Sequence, residues 1–171
     1  MRGGEGFAVS YGAGMLDAIG EQGSGLGLRV QFLSGHSVSR PTEPSVHVYH
    51  DGLLLGGAPL PEGLRRERPT TANITADSSG VSVRYHGRLV FDRLPWRDDG
   101  PGWYPQPDWQ LAFSAACSAW PDNHWIDDLY VQTGTRVADT AVPRSLTWRI
   151  ARTPRKVAVA SVSSNVISRD G

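Results

Sequence analysis

Apolar and polar residues alternate with a period of two along most of this chain. Phe7, Val9 and Tyr11 alternate with Ala8 and Ser10; Leu28, Val30 and Phe32 alternate with Arg29 and Gln31. Val46 and Val48 are interleaved with His47 and Tyr49, and Val81, Val83 and Tyr85 with Ser82 and Arg84. Trp109, Leu111 and Phe113 form one more such face. Side chains on a strand point alternately to its two faces, so each run predicts a strand with one buried side. Between the runs stand Gly, Pro, Asp and Ser clusters. Asp51-Gly52 predicts a tight hairpin before Leu53-Leu54-Leu55, and the chain is expected to reverse again near His86-Gly87 before Leu89-Val90-Phe91. Many short strands so punctuated predict an all-β fold, an antiparallel sandwich or jelly roll.

Only Met15 to Gly20 has a helical look, of about one turn. Pro95 to Pro107 (PWRDDGPGWYPQP) predicts a long surface connection. The pattern divides the chain into a main domain, residues 1–135, and a C-terminal extension, residues 136–171. Two strand-like pieces in the extension, Leu146 to Ile150 and Val157 to Val162, either add edge strands to the same sandwich or open a second domain.

Composition narrows the function classes. The chain has 171 residues, 39% of them hydrophobic, enough for one core. Its 17 basic and 17 acidic residues cancel, so it lacks the footprint of a nucleic-acid partner, and Arg65-Arg66-Glu67-Arg68 reads as a solvated loop. No run reaches the roughly 18 apolar residues of a membrane helix, which argues against membrane insertion. Met1-Arg2-Gly3-Gly4 lacks the apolar core of a signal peptide. The single Cys117 forms no internal disulfide and reads as a packed thiol. Asn73-Ile74-Thr75 is a glycosylation sequon. If Ala72, Ile74 and Ala76 face the core, Asn73 faces solvent, where a glycan is tolerated. The sequon favours an extracellular or cell-surface location.

The segment from Trp109 to Val131 (WQLAFSAACSAWPDNHWIDDLYV) carries the most specific signal. It resembles the last core strands of concanavalin A-like sandwiches, the fold of legume lectins and laminin G modules. The likeness covers most of residues 3–133: Gly4-Glu5-Gly6-Phe7-Ala8-Val9 is similar to a glycine-flanked acidic turn and strand, Gly25 to Phe32 to a long strand, and Val46 to Leu55 and Val81 to Pro95 to two hairpins. The resemblance implies a concanavalin A-like jelly roll. It also implies strands ahead of the acidic turn, which here lies at residue 5. Either the tail after residue 135 takes their place, or the chain is an N-terminally truncated fragment.

Against that family the chain departs in two ways. Legume lectins place a Glu and an Asp two residues apart on the strand that here reads Val30-Gln31-Phe32-Leu33. Calcium takes six to eight hard oxygen ligands. Gln31 supplies one and Leu33 none, so a legume-type paired metal site is not expected; the expectation is no cofactor, with calcium at a site of another kind as the alternative. Glucanases of the superfamily carry a Glu-x-Asp-x-x-Glu strand, with carboxylates about 5 Å apart. All five glutamates here lie in the first 67 residues, outside such a motif. Asp127 and Asp128 are adjacent and, on a regular strand, point to opposite faces. There is no Gly-x-Ser-x-Gly elbow, phosphate loop or His-Glu-x-x-His helix either. His36, His47, His50 and His86 have no ligand spacing and read as solvated or hydrogen-bonded. The expectation is a protein that is not an enzyme, with a degenerate glycosidase-like enzyme as the alternative.

What remains is recognition. Asp122, Asn123 and His124 offer a carboxylate, an amide and an imidazole suited to vicinal hydroxyls, with Trp120 and Trp125 beside them to pack on a sugar's C–H face. The plain alternative is a structural turn, because Asp and Asn cap local backbone groups. Glu5 stands where the resemblance places a sugar-binding Asp. Trp103 and Tyr104 form either an exposed aromatic surface or a lid folded back over the sandwich. The expected function is non-catalytic binding of a glycan or glycoprotein by a lectin-like domain. The alternative is a laminin G-type adhesion module that binds a protein ligand.

Overall fold

The computed structural model describes residues 6–14, 25–37, 40–41, 43–64, 70–100, 102–116, 126–134 and 145–151. Among these there is no helix. The strands are β1 (Gly6–Ala13), β2 (Leu26–Leu33), β3 (His36–Ser37), β4 (Arg40–Pro41), β5 (Ser45–His50), β6 (Leu53–Pro59), β7 (Ala72–Asp77), β8 (Gly80–Tyr85), β9 (Arg88–Leu94), β10 (Gln110–Ala116), β11 (Asp127–Gly134) and β12 (Ser145–Ala151).

Two five-stranded antiparallel sheets result, with orders β10-β1-β2-β5-β6 and β11-β12-β7-β8-β9, and β3 with β4 makes a small separate ribbon. In each large sheet an antiparallel run of strands is joined, at its first strand, by a strand from later in the chain. β10 comes back beside β1, and β12 beside β7. This is the spatial order of a Greek key.

One core lies between the sheets. From the first come Val9, Leu28, Val30, Phe32, Val46 and Val48; from the second come Ile74, Ala76, Val81, Val83 and Tyr85. The core-facing residues are those the alternation selects. Phe32 links the layers: its ring stacks on Phe7 at 4.7 Å and meets Tyr85 of the other sheet at 5.6 Å. Burying each such side chain contributes about 1.5–3 kcal/mol.

The turns follow their residues. Asp51 and Gly52 have φ of 48° and 80°, and His86 and Gly87 have 52° and 79°. Two successive positive φ values make the type I′ connection whose twist matches a hairpin. Asp77 closes the β7–β8 hairpin by accepting the Ser79 N–H at 2.7 Å.

Several expectations are corrected. Ser145–Ala151 is no edge strand: it lies inside its sheet, paired with β7 on one side and β11 on the other. The Trp109–Val131 segment, for which the sequence reading assigns no sheet, sends its ends to opposite sheets, β10 and β11. Asp127 and Asp128 do not lie on a regular strand, because the register shifts between Asp127 and Tyr130 and Asp128 has φ 49°. The opposite-faces argument therefore does not apply to that pair.

Trp103 is no surface aromatic. It is 8% exposed, stacked on Trp96 at 5.1 Å, edge-on to Trp109 at 5.8 Å and near Tyr11 at 6.1 Å. The Pro/Gly-rich connection folds inward because a large indole gains more from burial than from solvent. Tyr104, its neighbour, is 63% exposed.

Candidate ligand-binding face

On β1, β2, β5 and β10 the residues that point away from the core share one surface. The register brings them into two rows. Ser114, Ala8, Gln31 and His47 lie side by side in one row, and Ala112, Ser10, Arg29 and Tyr49 in the next. Strands lie about 4.8 Å apart, so each row spans about 14 Å from β10 to β5. Gly57 of β6 continues the first row beside His47.

The floor of this face is small and buried. Ala8 and Ser10 lie between the longer Gln31 and Arg29 of β2 and the short Ser114 and Ala112 of β10, with 0% and 2% of their surfaces exposed. Gln31 of β2 is itself buried, 5% exposed, whereas Arg29, His47 and Tyr49 are half-buried. The Arg29 guanidinium lies 4.4 Å from the centre of the Tyr49 ring, a cation–π contact, and the His47 and Tyr49 rings are 6.4 Å apart.

Three polar atoms of this surface are buried without a hydrogen-bond partner among the described residues. They are the Ser10 and Ser114 hydroxyls and Nε of Arg29. Buried polar groups are nearly always paired, and an unpaired one costs about 1–3 kcal/mol. Three of the four such atoms among the described residues lie on this face; the fourth, Nε1 of Trp103, lies in the core. Burial also pushes the Arg29 pKa down, partly countered by Tyr49, and pushes that of His47 down, so the imidazole is neutral near neutral pH.

No family model matches this chain, nor does any curated protein or solved structure.

Of the residues that the sequence singles out, Glu5, Trp120, Asp122, Asn123 and His124 lie outside the described residues, as does Met15 to Gly20. Asn73 is half-buried on the outward face of β7, between Arg84 and Arg149 in register. Among the described residues no group of three His, Cys, Asp or Glu side chains could hold a metal ion.

The residues of the face were present in the sequence only as the polar partners of two alternating runs, Arg29 and Gln31, His47 and Tyr49. The missing information was that these runs become adjacent strands in matching register. His86 is exposed and hydrogen-bonded to Thr70 at 2.8 Å, as its turn position implies.

His50, beside the Asp51-Gly52 turn, is 7% exposed and packs at 4.9 Å from Trp96. Asp51 is 3.8 Å away, but burial outweighs its pull and the His50 pKa is lowered. His50 and His47 thus bind protons more weakly folded than unfolded. Below about pH 6.5, where unfolded histidine protonates, the unfolded state takes up more protons. Stability is therefore full above that pH and falls as pH drops through it, until the lower folded pKa values are reached. Urea midpoints at pH 7.5 and 5.5 test this: the midpoint should be lower at pH 5.5, and the difference smaller in His50→Gln. A midpoint unchanged or higher at pH 5.5 would rule the assignment out.

Proposed function

We propose that this protein is a non-catalytic recognition module of the concanavalin A-like jelly-roll type that binds a glycan on the outer face of the β10-β1-β2-β5-β6 sheet. The observation that carries the reading is the group of buried, unpartnered donors on that face beside Arg29, Gln31, His47 and Tyr49. Sugar hydroxyls are donors and acceptors that such groups can match, and Tyr49 offers an aromatic ring for a sugar's C–H surface. The two Greek-key returns agree with a jelly roll. The turn around Asp122, Asn123 and His124, with Trp120 and Glu5, is proposed as a second set of contacts. An extracellular or cell-surface setting, and a glycan on Asn73, belong to the same reading.

A glycan array identifies the ligand, and titration with the best-bound glycan tests the face. The double variant His47→Ala with Tyr49→Ala, with an unchanged urea midpoint, is expected to lose at least tenfold in affinity. Retained affinity would remove the face from the site. His124→Ala with Trp120→Ala measures the turn's share separately.

The adhesion reading has its own support in Leu53 and Leu54, 51% and 52% exposed on the edge strand β6. Capture of a defined protein ligand that Leu54→Asp abolishes, with no glycan bound, would favour it.

A further inference from the structure

The sheet that carries the candidate face has an unusual charge inventory. None of its five strands, β1, β2, β5, β6 and β10, contains an Asp or a Glu, and their one Lys or Arg side chain is Arg29. A half-buried guanidinium ordinarily faces a carboxylate, since a desolvated charge without a counterion is expensive. Among the described residues Arg29 has no ion pair; its neighbours are the Tyr49 ring and the polar groups of the face.

From these placements we infer that the ligand of this face carries a carboxylate, and that Arg29 is the residue that receives it. The proposal rests on the reading of this face as a glycan site, and it narrows the substrate class to acidic glycans bearing a uronic or sialic acid. A planar guanidinium matches a planar carboxylate through two parallel N–H···O bonds, which a point charge cannot reproduce. The Ser10 hydroxyl stands directly across from Arg29 in register, and the Ser114 hydroxyl lies on the diagonal from Ser10. Both hydroxyls are buried behind the guanidinium, so Arg29 is the group of this cluster that receives the anion. Neutral His47 adds a hydrogen-bonding edge without competing for the anion. The lack of any acidic side chain in the sheet removes both an internal partner for Arg29 and a source of repulsion for an anion.

The test uses the intact chain on an array that holds neutral, sulfated and carboxylated glycans. It is followed by titration with tetragalacturonate and its fully methyl-esterified counterpart. Signals are expected on carboxylated glycans, and the free acid should bind at least tenfold more tightly than the ester wherever the uronate backbone is accepted. Sialyllactose against lactose is the matched pair if sialylated glycans give the signal. Arg29→Met, with its folding checked by urea denaturation, should bring acid and neutral form to equal affinity. Arg29→Lys should restore part of the difference. Signals confined to neutral or sulfated glycans, or equal binding of acid and neutral form by the unaltered protein, would overturn the carboxylate assignment and leave the glycan reading standing. No signal on any glycan would overturn both.

Discussion

Replacing Gly27 by alanine is expected to destabilise the protein by about 3 kcal/mol or more, a fall of roughly 6–12 °C in Tm for a chain of this size. Gly27, the second residue of β2, has φ 112°, a backbone setting that side-chain-bearing residues rarely adopt. A Cβ there would overlap the Tyr11 carbonyl oxygen, stand 2.8 Å from Cα of Gly12 and 3.3 Å from the Trp109 ring. Backbone atoms of the paired strand cannot rotate aside, so β1 and β2 must separate locally.

The same residue is tied to the β5–β6 turn from both ends: its N–H donates to Oδ1 of Asp51 at 2.8 Å, and its carbonyl accepts the Asp51 N–H at 3.0 Å. A shift at Gly27 therefore disturbs the hairpin that orients Tyr49. Gly52→Ala provides the comparison. Gly52 has φ 80° with nothing within 4 Å of an added Cβ, so that change costs only the backbone strain, about 1–2 kcal/mol. Urea denaturation of both variants measures the difference. Equal effects would mean that overlap with β1 contributes nothing.

Gly27 also shows what the sequence could reveal and what it could not. The strand that contains it was legible, because Leu28, Val30 and Phe32 alternate with Arg29 and Gln31 and a buried face requires that spacing. The hairpins at Asp51-Gly52 and His86-Gly87 were legible for a similarly local reason: each dipeptide supplies the positive φ values that a type I′ turn requires. The strict role of Gly27 was not, since its constraint comes from Tyr11 and Gly12, fifteen or more positions earlier.

Long-range pairing is where the sequence reading stops. Alternation identifies strands but does not order them, so nothing local says that β12 enters between β7 and β11. The candidate face depends on the same kind of fact. Arg29 and Tyr49 read separately as solvated strand positions, and only the β2–β5 register puts the cation over the ring. For Trp103 the sequence leaves an exposed surface and a fold-back over the sandwich equally open, for a different reason. Proline and glycine around it mark an irregular backbone correctly, but irregular backbone can still carry an indole into the core.

The second large effect is expected at Phe32, where alanine should cost about 3–5 kcal/mol. Phe32 is wholly buried on β2, with no polar atom to satisfy, and truncation leaves a cavity between two sheets whose backbones are held by their own hydrogen-bond ladders. Such a space collapses only in part. The informative measurement is a double-mutant cycle with Tyr85 of β8, since the two rings, 5.6 Å apart at 43°, meet across the layers. If the sheets pack as described, Phe32→Ala and Tyr85→Ala should be non-additive by about 0.5–1.5 kcal/mol, the range for an aromatic pair beyond its burial. Phe7→Ala, which removes the stacked neighbour on β1, should couple to Phe32 by a similar amount through contact within one sheet. Coupling of Phe32 to Phe7 but not to Tyr85 would mean that each sheet is formed while the two are not seated on each other. The face that carries Arg29 and Tyr49 would then lack the packed backing that this core gives its strands.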